Sequence, residues 1–312
     1  VNKGLMEFSS NGEFLGYSGA SPVKFEWADY FWKLVATDEQ RAAMNSFVPT
    51  EYNNVATDSE GFLLVTNSIF TAAELRNAVA EPVRRLNLKG TNILIQTGNH
   101  NVIGDLTWDS HTGPSRFIDI TALDDGTYYT LDSIRGRIFG YDEQGNMLYA
   151  FGGLGTKRGY FSSPTAIEHH DSDLYILDSQ SCSVTILRHT EFGELISKAI
   201  LLYSKGDYNE SKETWEKVLK FAGNYEMAWD GIGKVLLRQG DYEQSLKYLK
   251  YAEDEYYYSK AWKLYRKDII EENIGLIVGI IGAILLIVVI KKIVSKVKNR
   301  VYDYESRINK NL

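Results

Sequence analysis

Residues Ile274 to Ile290 read IGLIVGIIGAILLIVVI, 17 consecutive positions without a charge or a hydrogen-bonding side chain. As a helix rising about 1.5 Å per residue, this run is roughly 26 Å long, just short of the apolar core of a bilayer. Ile293 and Val294 extend the apolar face, and the stems of Lys291 and Lys292 can lie along it while their ammonium groups reach the headgroups. The competing reading, a wholly buried core helix, needs a large surrounding domain, and only 22 residues follow Ile290. The sequence therefore predicts a transmembrane helix over 274–294, with Ile274, Leu276, Leu285, Ile290, Lys291 and Lys292 as its anchor residues.

Charge sets the expected orientation. The 22 residues after Ile290 carry seven Lys or Arg and two Asp or Glu, a net +5, whereas the residues before them carry a net −12. Basic residues stay on the cytoplasmic side. The reading is a single-pass cell-membrane protein with an extracellular N-terminal part and a basic cytoplasmic tail over 295–312, able to touch anionic lipid. The overall charge of −7 argues against nucleic acid as a partner. Cys182 is the one cysteine, which excludes an intrachain disulfide and a cysteine-rich metal site. The chain begins at Val1 without a basic, apolar and small-residue leader, although an extracellular part needs an export signal, so upstream sequence is expected.

From Val1 to about residue 195 the pattern is short strands and turns. One hairpin type recurs as GLMEFSSNGEFLGY around Gly12, RRLNLKGTNILIQ around Gly90, RIFGYDEQGNMLYAFG around Gly145 and VTILRHTEFGELI around Gly193. Between these lie YNNVATDSEGFLLVTNS (52–68), FIDITALDDGTYYTLDS (117–133) and PTAIEHHDSDLYILDS (164–179), each closing on Asn-Ser or Asp-Ser. Asp132-Ser133 and Asp178-Ser179 are 46 residues apart, a spacing that suits a four-stranded propeller blade.

The run GPSRFIDITALDDGTYYTLDSIRGRIFGYDEQGNMLYAFGG (113–153), followed by FSSPTAIEHHDSDLYILDS, resembles the NHL-repeat β-propellers. The resemblance covers roughly residues 1–195 and implies an all-β propeller. Four outer hairpins and three inner pairs make about three and a half blades of an expected six. An open arc leaves two naked sheet edges, so two to three further blades are expected upstream.

Residues 25–47 (FEWADYFWKLVATDEQRAAMNSF) break the blade rhythm and take a helical period. They read as a helical insertion that caps a propeller face. Its aromatics Trp27, Tyr30 and Trp32 are candidate ligand-binding residues.

Over 196–270 the period is helical. Gly206-Asp207-Tyr208 returns as Gly240-Asp241-Tyr242, 34 residues later. That spacing and the run AWDGIGKVLLRQGDYEQSLKYLKYAE resemble the tetratricopeptide-repeat family, at Trp229, Ile232, Gly233, Leu236, Gly240, Tyr242, Ser245, Leu249 and Ala252. The resemblance implies stacked helix pairs, and SKAWKLYRKDII (259–270) reads as a further helix running into the span. The aromatic cluster that includes Tyr248, Tyr251, Tyr257, Trp262 and Tyr265 reads as core or interfacial belt. In a peptide-binding groove, Trp229, Tyr257 and Trp262 would be the contact residues.

Catalytic signatures are missing. There is no G-x-S-x-G, H-E-x-x-H or Walker-type loop, and no catalytic, metal-ligating or cofactor-binding residue is assigned. His169 and His170 precede an acidic turn and point to opposite faces of a strand, so they read as solvated turn residues that do not share a metal. Some similar propellers are lactonases with a divalent metal in the central channel. By that resemblance Asn53, Asn54, Asn99, Asp119 or Glu168 could face a channel. The reading is a membrane-anchored extracellular interaction or scaffold protein, accessory to a surface or transport complex. A protein partner and membrane lipid are its expected partners, with room for a small-molecule or sugar ligand. The alternative is a lactonase-like metal-dependent hydrolase.

Overall fold

In the computed structural model, residues 4–19, 52–68, 70, 74–75, 80–95, 102–105 and 113–308 are described. They form a β region followed by an α region, in the order the sequence predicts. The helical insertion expected over 25–47, with Trp27, Tyr30 and Trp32, lies outside the described residues.

The β region is a series of antiparallel meanders. Strands β1 (Leu5–Phe8) and β2 (Phe14–Ser18) form a two-stranded sheet among the described residues. Strands β3 (Asn54–Thr57), β4 (Leu63–Thr66) and β5 (Val83–Leu86) form a second sheet. Strands β6 (Phe117–Ala122), β7 (Tyr128–Asp132), β8 (Arg137–Tyr141) and β9 (Met147–Gly152) form a complete four-stranded one. Strands β10 (Pro164–His170), β11 (Asp173–Asp178) and β12 (Ser183–Leu187) follow.

The first strands of the last three sheets adjoin. β6 packs against β3 on one side and β10 on the other. The buried Asp119 carboxylate on β6 accepts from Ile167 N on β10 at 2.7 Å, and Asn53 Nδ2 donates to Phe117 O at 2.8 Å. Apolar layers fill the spaces between sheets: Tyr128, Phe117, Phe139 and Tyr141 on one side of the four-stranded sheet, Tyr129, Leu131, Ile138 and Ile176 on the other. Each large side chain removed from water in this way stabilises the fold by about 1.5–3 kcal/mol.

The recurring Gly turns share a mechanism. Asp142 Oδ1 accepts from Gln144 N and Asn146 N, both at 2.9 Å, while Gly145 takes the left-handed φ of 80°. That conformation costs glycine little and other residues more. Asp58 and Asn87 close their turns the same way. The repeated Asp-Ser has its own role. Asp132 accepts from Arg116 N, Ile134 N and Ser115 Oγ, all at 2.9 Å. Asp178 accepts from the backbone N–H groups of Ser162, Ser163, Gln180 and Ser181. Burial would raise the Asp178 carboxyl, but these donors hold it below its ordinary value. The 46-residue spacing is therefore the repeat of one turn-closing carboxylate.

The hairpin expected around Gly193 is half strand and half helix. After β12 the chain enters α1 (Glu191–Lys205), and Gly193 lies in its first turn. Thr190 caps that turn by accepting from Gly193 N, and Glu191 and Glu194 complement the helix N-terminus. This capping outweighs the apparent strand alternation of the segment.

Helices α2 (Tyr208–Phe221), α3 (Glu226–Gln239) and α4 (Tyr242–Tyr251) complete two helix pairs with a 34-residue offset. Gly206 and Gly240 end the first helix of each pair in left-handed conformation. Ser211 Oγ donates to Ala199 O at 2.8 Å, and Ser245 Oγ donates to Gly233 O at the same distance. Each serine is fully buried and small enough for its helix to lie close to its partner. Leu148 of β9 packs into the helical core beside Ile196, Trp215 and Ile232, and Tyr225 Oη donates to its carbonyl at 2.7 Å.

The chain divides into two compact units, residues 1–258 and 259–312. Helix α5 (Glu255–Glu272) is followed by α6 (Ile274–Ile308). Asn273 N donates to Ile269 O, and Ile277 N donates to Asn273 O, so helical bonding continues between them. Within α6, residues 274–300 form a segment long and apolar enough to cross a membrane, with none of it buried.

Candidate functional site

Two constructions in the first unit place polar groups in apolar surroundings. One is a cleft bordered by β9, β11, β12 and the start of α1. Only Arg188, His189 and Thr190 link β12 to α1, which holds the His189 ring beside the sheets. Tyr129 of β7 lies fully buried behind the cleft. Its hydroxyl is 2.6 Å from Tyr149 Oη and 3.0 Å from His189 Nε2. Burial, then the neighbouring Tyr149, holds the Tyr129 hydroxyl far above its usual range. Burial also pushes Tyr149 up to about 12. Both phenols thus stay protonated over the physiological range and serve as hydrogen-bonding groups. The cleft is half open and holds about 320 Å³, and Tyr149, Phe151, Leu174, Leu187, His189 and Phe192 are among the residues that line it. At the rim, Arg188 Nε donates to Asp173 Oδ2 at 2.9 Å.

The second construction joins the β8–β9 turn to the helices. Lys234 on α3 is almost fully buried, pairs with Asp230 at 2.5 Å and donates to Gln144 Oε1 at 2.9 Å. Asp254 lies 3.9 Å away, and the Tyr257 ring centroid 4.4 Å away. Burial pushes the Asp230 carboxyl up to about 7, with Lys234 opposing the rise and Asp254 adding to it. Burial works against the Lys234 cation, yet Asp230 and Asp142 raise it above its ordinary value. One buried cation thus serves several carboxylates, an arrangement that fixes geometry more than it adds stability. Asp254 also caps α5 by accepting from Tyr257 N at 2.8 Å.

The residues expected from sequence have varied surroundings. Trp229 packs at a tilt against Tyr248 and Tyr251, with ring centroids 5.6 and 5.5 Å away. The Tyr257 ring lies over Lys234 and packs edge-on with Tyr256. In the second unit, half-exposed Trp262 lies 6.1 Å from the Tyr265 ring. Ile274, Leu276, Leu285 and Ile290 are all exposed along α6, as are Lys291 and Lys292.

Of the channel candidates, Asn99 lies outside the described residues and Asn54 Oδ1 accepts from Val55 N at 2.6 Å, while the other three hold sheets together. Asp119 and Asn53 bridge neighbouring strands, as above. Glu168 Oε1 accepts from Thr121 Oγ1 at 2.8 Å. His169 is not the solvated turn residue expected: its Nδ1 lies 2.7 Å from Thr121 Oγ1, because β10 packs its flank against β6. Among the described residues no group of three or more His, Cys, Asp or Glu side chains is arranged to hold a metal ion. Sequence reading missed the Tyr129–Tyr149–His189 chain, because its members are 20 and 60 residues apart and meet only through tertiary packing.

No family model matches the chain, and no curated protein matches it. Among solved structures, a selenomethionine-substituted virginiamycin B lyase from Staphylococcus aureus is 14% identical with a TM-score of 0.27, over 45% of this chain and 42% of that one. A protein of unknown function from Bacteroides caccae is 12% identical with a TM-score of 0.25, over 45% of this chain and 47% of that one. The matched region spans less than half the length of either solved chain, and likeness at this level carries no argument about activity.

Proposed function

We propose that the chain is a membrane-anchored binding protein, accessory to a surface or transport complex, with its folded unit outside the cell. The observation that carries this reading is the apolar segment of α6, long enough to cross a membrane and with none of it buried, which follows a β-then-α unit. The meanders are read as blades of a propeller resembling the NHL family. In support, the first strands of three successive sheets, β3, β6 and β10, adjoin, as radial blades require. The helix pairs are read as tetratricopeptide-like repeats, supported by the duplicated serine-to-carbonyl bond. The orientation is read from the net charge of +5 after Ile290, since Lys and Arg favour the cytoplasmic side. Alkaline carbonate extraction of membranes tests the anchor: the chain remains in the pellet, and release into the supernatant sinks the reading.

A further inference from the structure

We propose that the cleft between β9, β11, β12 and α1 is a binding site for a small, uncharged aromatic molecule bearing one hydroxyl group. This deepens the binding reading above and is independent of the anchor, since every residue of the cleft precedes Tyr258. The half-open cleft, of about 320 Å³, falls within the range of small-molecule sites. It is too small for a helix, which is roughly 10–12 Å across with its side chains. Phe151, Leu174, Leu187 and Phe192 supply apolar walls, and Tyr149 and His189 supply the polar end.

That polar end is what selects a hydroxyl. Tyr129 sits between the other two groups, bonded to both. If Tyr149 donates to Tyr129 and Tyr129 to His189 Nε2, the remaining proton of the neutral imidazole is on Nδ1, a donor. If the chain runs the other way, His189 Nε2 donates to Tyr129, Nδ1 becomes an acceptor and the Tyr149 hydroxyl is a free donor. Nδ1 has no partner among the described residues. A hydroxyl, which both donates and accepts, satisfies either arrangement. A charged ligand finds no compensating charge here, because Arg188 at the rim is already paired with Asp173.

Gly193 gives the means to test this. A Cβ there would meet His189 Cβ at 3.5 Å, an ordinary contact, so Gly193→Ala fits and Gly193→Leu projects into the cleft. The probe is 4-(trifluoromethyl)phenol, followed by fluorine NMR on the full chain in detergent, with (trifluoromethyl)benzene as the partner lacking the hydroxyl. The expected result is a saturable protein-bound signal for the phenol, with about three- to tenfold weaker binding of the benzene. Tyr149→Phe narrows that gap, Gly193→Ala retains binding and Gly193→Leu abolishes it. Absence of a saturable signal in the unaltered chain overturns the site, as does equal binding in Gly193→Leu. Equal affinity for the two probes overturns the role of the polar end. Tyr149→Phe keeps the test decisive should Gly193→Leu fail to fold. Failure here leaves the membrane anchor untouched.

Discussion

Lys234 Nζ reaches Gln144 Oε1 at 2.9 Å, tying helix α3 to a β-turn 90 residues earlier in the chain. The same ammonium group balances Asp230 and lies near Asp254. Replacing it with methionine keeps most of the volume and removes the charge. Lys234→Met then leaves buried carboxylates without their cation, and breaking a buried pair in this way costs about 3–5 kcal/mol. Urea unfolding should show that loss. A midpoint equal to that of the unaltered chain would contradict the role assigned to Lys234.

Asp230 makes stability depend on pH in the opposite sense from an ordinary ion-paired carboxylate. Its folded value is raised to about 7 from 3.8, so the folded state holds the proton more tightly than the unfolded one. The stabilisation is fully present below about pH 4 and is lost as pH rises toward 7, by at most about 1.4 kcal/mol per pH unit. Asp230→Asn removes this titration. The difference in urea midpoint between the two proteins should change across pH 4–7 and level off above it; a constant difference would count against the shift.

Helix approach in the second repeat depends on Gly233. A Cβ built there would lie 2.7 Å from Leu249 Cγ and 3.2 Å from Leu249 N. Gly233→Leu therefore overpacks the pair and lowers stability by roughly 1–3 kcal/mol. Thermal unfolding followed by circular dichroism checks it, and an unchanged midpoint would argue against the repeat.

Asp132 closes its turn on Arg116 N, Ile134 N and Ser115 Oγ. Asp132→Ala strands these donors inside the sheet, at a cost of about 1–3 kcal/mol. Asp132→Asn retains acceptor capacity and should lose less. Equal losses for the two variants would mean that the hydrogen bonds are not the cause.

Local periodicity explains why much of the fold was legible. The Asp-Ser repeat, the Gly turns and the 34-residue offset each encode a bond that recurs at fixed spacing, as Ser211 and Ser245 show. The Gly193 segment misled because its alternation imitates a strand, whereas Thr190 as a cap decides for helix. The cleft was not legible. Tyr129 and His189 come together only because β7 and the β12–α1 link are brought side by side by tertiary packing, which no local pattern records. The same holds for Lys234 and Gln144.

The central claim, that α6 crosses the membrane with residues 1–258 outside, is tested most directly through Cys182. It is the only cysteine and is exposed, so one site reports the location of the β region. A membrane-impermeant maleimide applied to intact cells should label Cys182, while Ser306→Cys in a Cys182→Ser background should label only after permeabilisation. Labelling of Cys182 only after permeabilisation would contradict the account.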